Sequence, residues 1–245
     1  MTRSTDHTAP RLFIAAALHE GAEIAASAEQ THYLGTVMRR ASGDIVRLFN
    51  GTDGEWIARI AFPRRDRAAL TVEQQQRTQT AETGPWLVFA LLKRDATDLV
   101  VRQAVELGAS RLLPVITERT NAARVNEARL RAIAIEAAEQ SERLTIPPID
   151  APARLDAVLA AWPPERRLFA ALERTPAAAP AAVRDVGLLI GPEGGFSPTE
   201  RAMLQRFDFV TPISLGPYVL RAETAAVSGL AQLLGMGWAE YPGAT

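Results

Sequence analysis

The chain of 245 residues contains no cysteine, which removes disulfides, thiolate metal sites and cysteine nucleophiles together. Histidine is scarce. His7, His19 and His32 all fall near the start, and no His/Asp/Glu grouping has metal-ligand spacing, so no metal is expected. No apolar run reaches the ~18 residues a membrane-spanning helix needs. Residues 1–10 are polar and lack the basic start and apolar core of a signal peptide, so a cytoplasmic protein with a loose leading tail is expected. Lysine is nearly missing too: Lys93 is the only one, and every other long cationic side chain is arginine. The net charge of −1 gives no bulk sign of nucleic-acid binding, so only the placement of the arginines can indicate it. Neither Gly-x-Gly-x-x-Gly nor Gly-x-x-x-x-Gly-Lys-Ser/Thr occurs, which takes the main support from a dinucleotide enzyme or an NTPase.

What is present divides into two styles of patterning. Residues 11–17, 45–49, 56–62 and 69–73 are short apolar runs that predict strands, separated by Ser42-Gly43-Asp44 and by Asn50-Gly51-Thr52-Asp53-Gly54. Between the first two, residues 28–40 have helical spacing at Tyr33, Leu34, Val37 and Met38. This predicts a small β domain over residues 1–75. A polar Gln/Thr stretch closing on Gly84-Pro85 then suits a linker over 76–85. From Trp86 the runs are longer and continuous. Strands are predicted at 86–93, 111–116, 168–172, 186–190 and 210–215. Helices are predicted at 97–107, 126–143, 155–162, 198–206 and 223–235, with a Pro/Ala loop at 175–182. Strands alternating with helices imply an α/β domain over 86–245, built on a mostly parallel sheet covered on both faces.

Two segments carry chemistry. In the first, a buried strand runs into Gly191-Pro192-Glu193-Gly194-Gly195, and a marked helix start follows: Ser197 as N-cap, Pro198 at the first position and Glu200 completing a Ser-x-x-Glu capping box. Adjacent glycines let main-chain N–H groups approach a ligand, and the loop follows the carboxyl end of a strand, where open α/β sheets bind ligands. A plain structural turn would also use Gly-Gly. In the second, a strand ends in Leu215-Gly216-Pro217, and a loop carrying Arg221 and Glu223 leads into a helix with Ala225, Ala226, Ser228, Gly229 and Ala231. Small residues there serve close packing, ligand approach or both.

Taken in order, these segments resemble the SPOUT superfamily of RNA methyltransferases, and among them the ribosomal RNA small subunit methyltransferase E family. Thr117-Glu-Arg-Thr120 is similar to the family's Ser/Thr-Glu-Arg-Ser segment, 98–108 to its Asp-Leu-Val helix, and 133–147 to its longest helix and exit. Val37-Met38-Arg39 with Gly43-Asp44 resembles the equivalent part of its first domain. The resemblance implies a PUA-like β-barrel over 1–75 that helps to hold RNA. It further implies a SPOUT α/β domain whose last part forms a trefoil knot, and a homodimer. The expected activity is methyl transfer from S-adenosyl-L-methionine (SAM) to N3 of a uridine in 16S rRNA of the small ribosomal subunit.

The implied cofactor contacts are Leu172, Ile190, Gly191, Pro192, Glu193, Gly194, Gly195, Leu215, Gly216, Val219, Leu220, Thr224 and Ala225. Arg221, Glu223 and Arg119 are the candidates for catalysis, with Arg221 favouring the anionic base and Glu223 orienting it or accepting the proton. Arg119, Glu139, Gln140 and Arg143 come from segments expected to line the same cleft. Arg39, Arg64, Arg65, Arg94 and Arg143 are the candidate RNA contacts, and Arg40, Arg47, Arg59 and Arg67 are expected near the hairpin patch. The chain departs from the family where Tyr218 replaces an arginine, Ala96 and Ala104 replace lysines, and Leu130 replaces a tryptophan. Two other outcomes stay open at this level: a SPOUT enzyme that methylates ribose 2′-O or another RNA position, and a non-catalytic RNA-binding or ribosome-assembly factor.

Overall fold

In the computed structural model, residues 9–120, 125–172 and 185–235 are described. His7, the rest of the tail up to residue 8, and the Pro/Ala segment 175–182 lie outside the described residues. The chain forms two units, Met1–Ala81 with Ala138–Ile146, and Glu82–Ala137 with Pro147–Thr245.

The first unit grows from one hairpin. Asn50 accepts from the backbone N–H of Thr52 (3.0 Å) and Asp53 (2.8 Å), forming the Asx-type turn its side chain favours. Gly54 closes the turn at φ 80°, where any Cβ would collide with the Arg77 carbonyl. The strands this turn joins, β3 (Ile45–Phe49) and β4 (Glu55–Arg64), pair antiparallel, and β4 continues antiparallel into β5 (Arg67–Arg77). With β1 (Arg11–Phe13) and β2 (Glu23–Ala25) they make a five-stranded sheet of order β1-β3-β4-β5-β2. Alternating Ala58 and Ile60 on β4, and Leu70 and Val72 on β5, fill a core with Leu34, Val46 and Leu48. The three-residue β2 has no usable period and is absent from the sequence expectation. β1 is shorter than expected, and β5 runs two residues past 75, leaving coil at 78–85. The helix expected over 28–40 is α1 (Ala28–His32), started by a Ser27/Gln30 capping box, followed by a π-helical turn at Tyr33–Val37.

A buried charge cluster ties residues 138–146 into this unit. Arg11 Nε donates to Glu55 Oε2 at 2.6 Å, with both side chains 2% exposed. Its Nη1 donates to the carbonyls of Ala138 (2.7 Å) and Glu139 (3.0 Å), and Nη2 to that of Arg143 (2.8 Å). These are carbonyls at the end of α3 (Glu127–Gln140) and just beyond, where a helix leaves acceptors without partners and favours a cation. Arg47 donates to Glu142 at 2.9 Å and lies 3.7 Å from Glu55. Burial pushes the Arg11 guanidinium below its usual pKa, and Glu55 opposes that shift.

The second unit has six strands in the order β11 (Val210–Ile213), β9 (Leu168–Ala171), β10 (Gly187–Ile190), β6 (Trp86–Ala90), β7 (Arg111–Ile116) and β8 (Ala153–Arg154), every neighbouring pair parallel. β6, β7, β9 and β10 are almost wholly buried, as continuous apolar runs require when both faces are covered. β8 and β11 form the edges. On one face α4 (Leu155–Ala160) and α5 (Pro198–Leu204) contribute Leu155, Leu159 and Leu204 to the core. Against β10 lies α6 (Ala222–Gly235), which also meets α2 (Arg94–Glu106). Gly229 of α6 sits so close to Leu188 that a Cβ would approach its Cδ2 to 2.6 Å. The small-residue helix is therefore a packing device at that position. Ala104 is 1% exposed in the core, so the absence of a lysine there removes no surface charge. Among the described residues no helix is long and apolar enough to cross a membrane, and no group of three His, Cys, Asp or Glu could hold a metal.

Candidate active site

Three neighbouring parallel strands, β11, β9 and β10, end on the same side, because parallel pairing points all carboxyl ends one way. Each hands over to coil there, and a cavity of ≈ 520 Å³ lies among the three ends. Ala171 and Leu172 line it from the end of β9, 190–193 with Gly195 and Phe196 from β10, and 213–220 from β11. Both Gly-Pro motifs, distant in sequence, become facing walls.

Each wall is shaped by the backbone. Gly195, at φ 66°, closes a turn by donating its N–H to Pro192 O at 2.8 Å. Gly191 lies over the Phe196 ring, which a Cβ would approach to 3.0 Å. On the opposite wall Gly216 takes φ 132°, and Ser214 Oγ donates to the Gly216 carbonyl at 3.2 Å. Among the described residues, the main-chain groups of Leu215, Tyr218, Val219 and Leu220 make no hydrogen bond. Unpaired N–H and C=O groups beside a cavity are available to a ligand. Tyr218 and Val219 are 83% and 62% exposed, large for apolar side chains.

Of the expected cofactor contacts, Leu172, Ile190, Gly191, Pro192, Glu193, Gly195, Leu215, Gly216, Val219, Leu220 and Ala225 line this cavity. Gly194 and Thr224 are not on its wall. Gly194 faces away and gives its carbonyl to Arg119 Nη1 at 2.8 Å. Phe196, Pro217, Tyr218 and Ala222, within the two expected loops, also line it, and Ala171, Arg201, Ile213 and Ser214 line it from outside those loops. Most adjoin the motifs and could have been taken with them. Arg201 could not, since only the turn of α5 after Ser197 brings it to the wall.

Arg221 and Glu223 flank Ala222 at the start of α6. Among the described residues neither side chain makes a hydrogen bond, so Glu223 does not orient Arg221 in this structure. Arg119 is exposed and held beside Gly194. Glu139 accepts from the Phe13 N–H at 2.9 Å, inside the first unit. Gln140 is exposed at the end of α3.

The candidate RNA-binding arginines separate by burial. Arg39, at φ 51°, and Arg64, Arg65 and Arg67 are exposed in the first unit, and Arg94 is exposed at the start of α2 in the second. Arg59 is paired with Glu73 at 2.6 Å, which raises its pKa through that hydrogen bond. Arg47, expected beside the hairpin patch, and Arg143, an expected RNA contact, are each only 8% exposed. Arg47 turns inward because Glu142 and Glu55 are there to receive it.

Comparison with known proteins agrees with this architecture. An RNA methyltransferase domain family matches residues 81–234, and an RNA methyltransferase PUA domain family matches 27–73. The ribosomal RNA small subunit methyltransferase E of Rickettsia conorii is 34% identical over 93% of this chain and 96% of its own length. A methyltransferase from Legionella pneumophila, solved with SAM bound, superposes with a TM-score of 0.84 at 28% identity, covering 93% of this chain and 97% of that one. The ribosomal RNA small subunit methyltransferase E of Neisseria gonorrhoeae, also bound to SAM, gives 0.81 at 26% identity over 93% and 98%.

Proposed function

The chain belongs to the ribosomal RNA small subunit methyltransferase E family, and from that premise we propose that it transfers a methyl group from SAM to N3 of a uridine in 16S rRNA. The observation that carries the reading is the cavity where β9, β10 and β11 end, walled by both Gly-Pro loops.

The walls fit SAM. Their volume lies within the ~300–1,000 Å³ of small-molecule pockets. The unpaired main-chain groups of Leu215, Tyr218, Val219 and Leu220 can read an adenine edge, and Leu172, Ile190 and Leu220 offer apolar surface. Glu193 and Arg201 put one charge of each sign on the wall, a counter-charge each for the ammonium and the carboxylate of the methionine part of SAM. SAM held there would supply an electrophilic methyl carbon, with its sulfonium sulfur as the leaving group.

The protein's own work is positioning and charge management. Uridine N3 must give up its proton before it forms the new bond to carbon. Arg221, unpaired at the rim, stabilises the resulting anionic base, and Glu223 is the proposed acceptor of the proton. Arg119, fixed at Gly194, adds positive charge beside the same loop. The target base must be unstacked to reach the cavity, which favours a loop or helix end in the RNA. RNA is held by Arg39, Arg64 and Arg65 of the first domain (1–75), joined through 76–85 to the methyltransferase domain (86–245), with Arg94 contributing from the latter. The reading includes a trefoil knot through the last segments, a homodimer and action in the cytoplasm.

The deciding experiment is methyl transfer from labelled SAM to small-subunit particles and to naked 16S rRNA, followed by nucleoside mass spectrometry. We expect 3-methyluridine. A ribose-methylated nucleoside, or SAM binding without transfer to either substrate, would overturn the assignment.

A further inference from the structure

Glu200 is expected to do one thing, which is to complete the cap of α5. In the structure it does two. Its Oε2 accepts from the Ser197 N–H at 2.9 Å, and the Ser197 hydroxyl accepts from the Glu200 N–H at 3.1 Å, which is the capping box. Its Oε1 accepts from the backbone N–H of Glu118 at 2.9 Å, across 82 residues of chain. The residue is 5% exposed, and Ser197 and Thr117 beside it are 4% and 6% exposed. Helix capping uses only the first of these carboxylate bonds.

The turn that Glu200 grips is already formed by its own bonds. Thr117 N donates to Thr120 Oγ1 at 2.9 Å, and Thr120 N donates to Thr117 O at 3.1 Å. The same turn has a second tie, from Arg119 Nη1 to the Gly194 carbonyl at 2.8 Å. A preformed turn is thus fastened at two points to the loop that makes one cavity wall. One fastening is buried at Glu200, and the other is exposed at Arg119.

We infer that Glu200 is a positioning residue: it clamps the Thr117–Thr120 turn to the 191–197 loop, and so sets both the cavity wall and the place of Arg119. Its chemistry suits this task. An ionised carboxylate offers an acceptor oxygen to each of two N–H groups and has no donor to oppose either one. A glutamine offers one oxygen and turns an NH2 toward the other N–H, so it can keep the cap or the clamp, not both.

The inference rests on reading the cavity as a SAM site, and the test separates the two ideas. SAM binding is measured by calorimetry on the full chain, with Glu200→Gln and Ser197→Ala as the informative pair. Ser197→Ala weakens the helix cap and leaves both carboxylate bonds, so its melting temperature falls while its SAM Kd stays within ~2-fold of the wild type. Glu200→Gln raises the Kd by ~10-fold, the scale of one missing charge-assisted hydrogen bond. It also raises KM for SAM and leaves KM for RNA unchanged. Equal SAM affinity in the two variants would overturn the clamp. A second measurement needs no variant. In amide exchange on the wild type, the N–H groups of Glu118 and Ser197 are protected, and saturating SAM slows both together. A Glu118 amide exchanging at the rate of free peptide would overturn the clamp even if Glu200→Gln does not fold. A wild-type protein that fails to bind SAM would remove the cavity reading, while the exchange of Glu118 would still decide the clamp.

Discussion

The charge cluster of the first unit and the cavity of the second solve opposite problems. Around Glu55 the structure puts charged side chains into the interior and satisfies them with one another and with helix-end carbonyls. Around the cavity it does the reverse, leaving main-chain groups without partners and keeping the charges of Arg221 and Glu223 at the surface. The contrast shows where each part is vulnerable. The cluster depends on the identity of a few side chains and fails if one is removed. The cavity depends on backbone shape and on the few ties that hold its loops, such as Arg119 to Gly194. Among the described residues the side chains of Arg221 and Glu223 make no hydrogen bond, which leaves them free for chemistry.

Four experiments put that contrast at risk. The largest effect is expected at Glu55. Glu55→Ala leaves Arg11 buried without its carboxylate, while Arg47 keeps Glu142, and should cost about 3–5 kcal/mol in urea unfolding. SAM affinity of the folded fraction should be unchanged, and a stability cost under about 1 kcal/mol, the range of an exposed pair, would show that the cluster does not hold the unit together. Next comes Arg221→Ala. Removing a charge aimed at a developing anion should lower methyl transfer ~10²–10³-fold, with Tm and SAM Kd unaltered. A drop in stability comparable to that at Glu55 would put Arg221 in the scaffold instead.

Smaller is the effect of reversing Arg64 and Arg65 together to glutamate. RNA binding should weaken, and the slope of log K against log salt should flatten by ~0.7–0.9 for each phosphate no longer neutralised. An unchanged slope would mean that these exposed arginines are merely solvated. Smallest is a pH effect at Asp53, whose carboxyl accepts from the Leu18 N–H and from Asn50. Those bonds, the Leu18 one first, hold its pKa below the usual value. A lowered folded pKa means stability that is fully present above the unfolded value of ~3.9 and lost as pH falls through the folded one. Asp53→Asn should therefore show a shallower fall in urea midpoint than the wild type as pH drops from about 5 to about 3. Identical slopes would remove Asp53 from the acid response.

Much of this was legible in the chain. The Asn50–Gly54 turn, the buried runs at 86–90 and 187–190, and the Ser197/Glu200 cap follow from local rules, because turn chemistry, period and capping act over a few residues. Most cavity-lining residues were legible for the same reason, since both Gly-Pro loops directly follow buried strands. The inward turn of Arg47 and Arg143 was not. Burial of an arginine is decided by a carboxylate or carbonyl far away in sequence, here Glu142 for Arg47. Arg201 was missed because only α5 delivers it to the wall, and the second partner of Glu200 because Glu118 is local to nothing near it.

The two styles of patterning, the identity of the two loops and the absence of any cysteine chemistry were thus written in the order of residues, all through composition or interactions between near neighbours. Folding in three dimensions settled the rest: that the two loops face each other, that one carboxylate serves two distant amides, and which arginines remain at the surface. Those outcomes depend on what parallel strands and packed helices bring side by side, and chain separation carries no record of that.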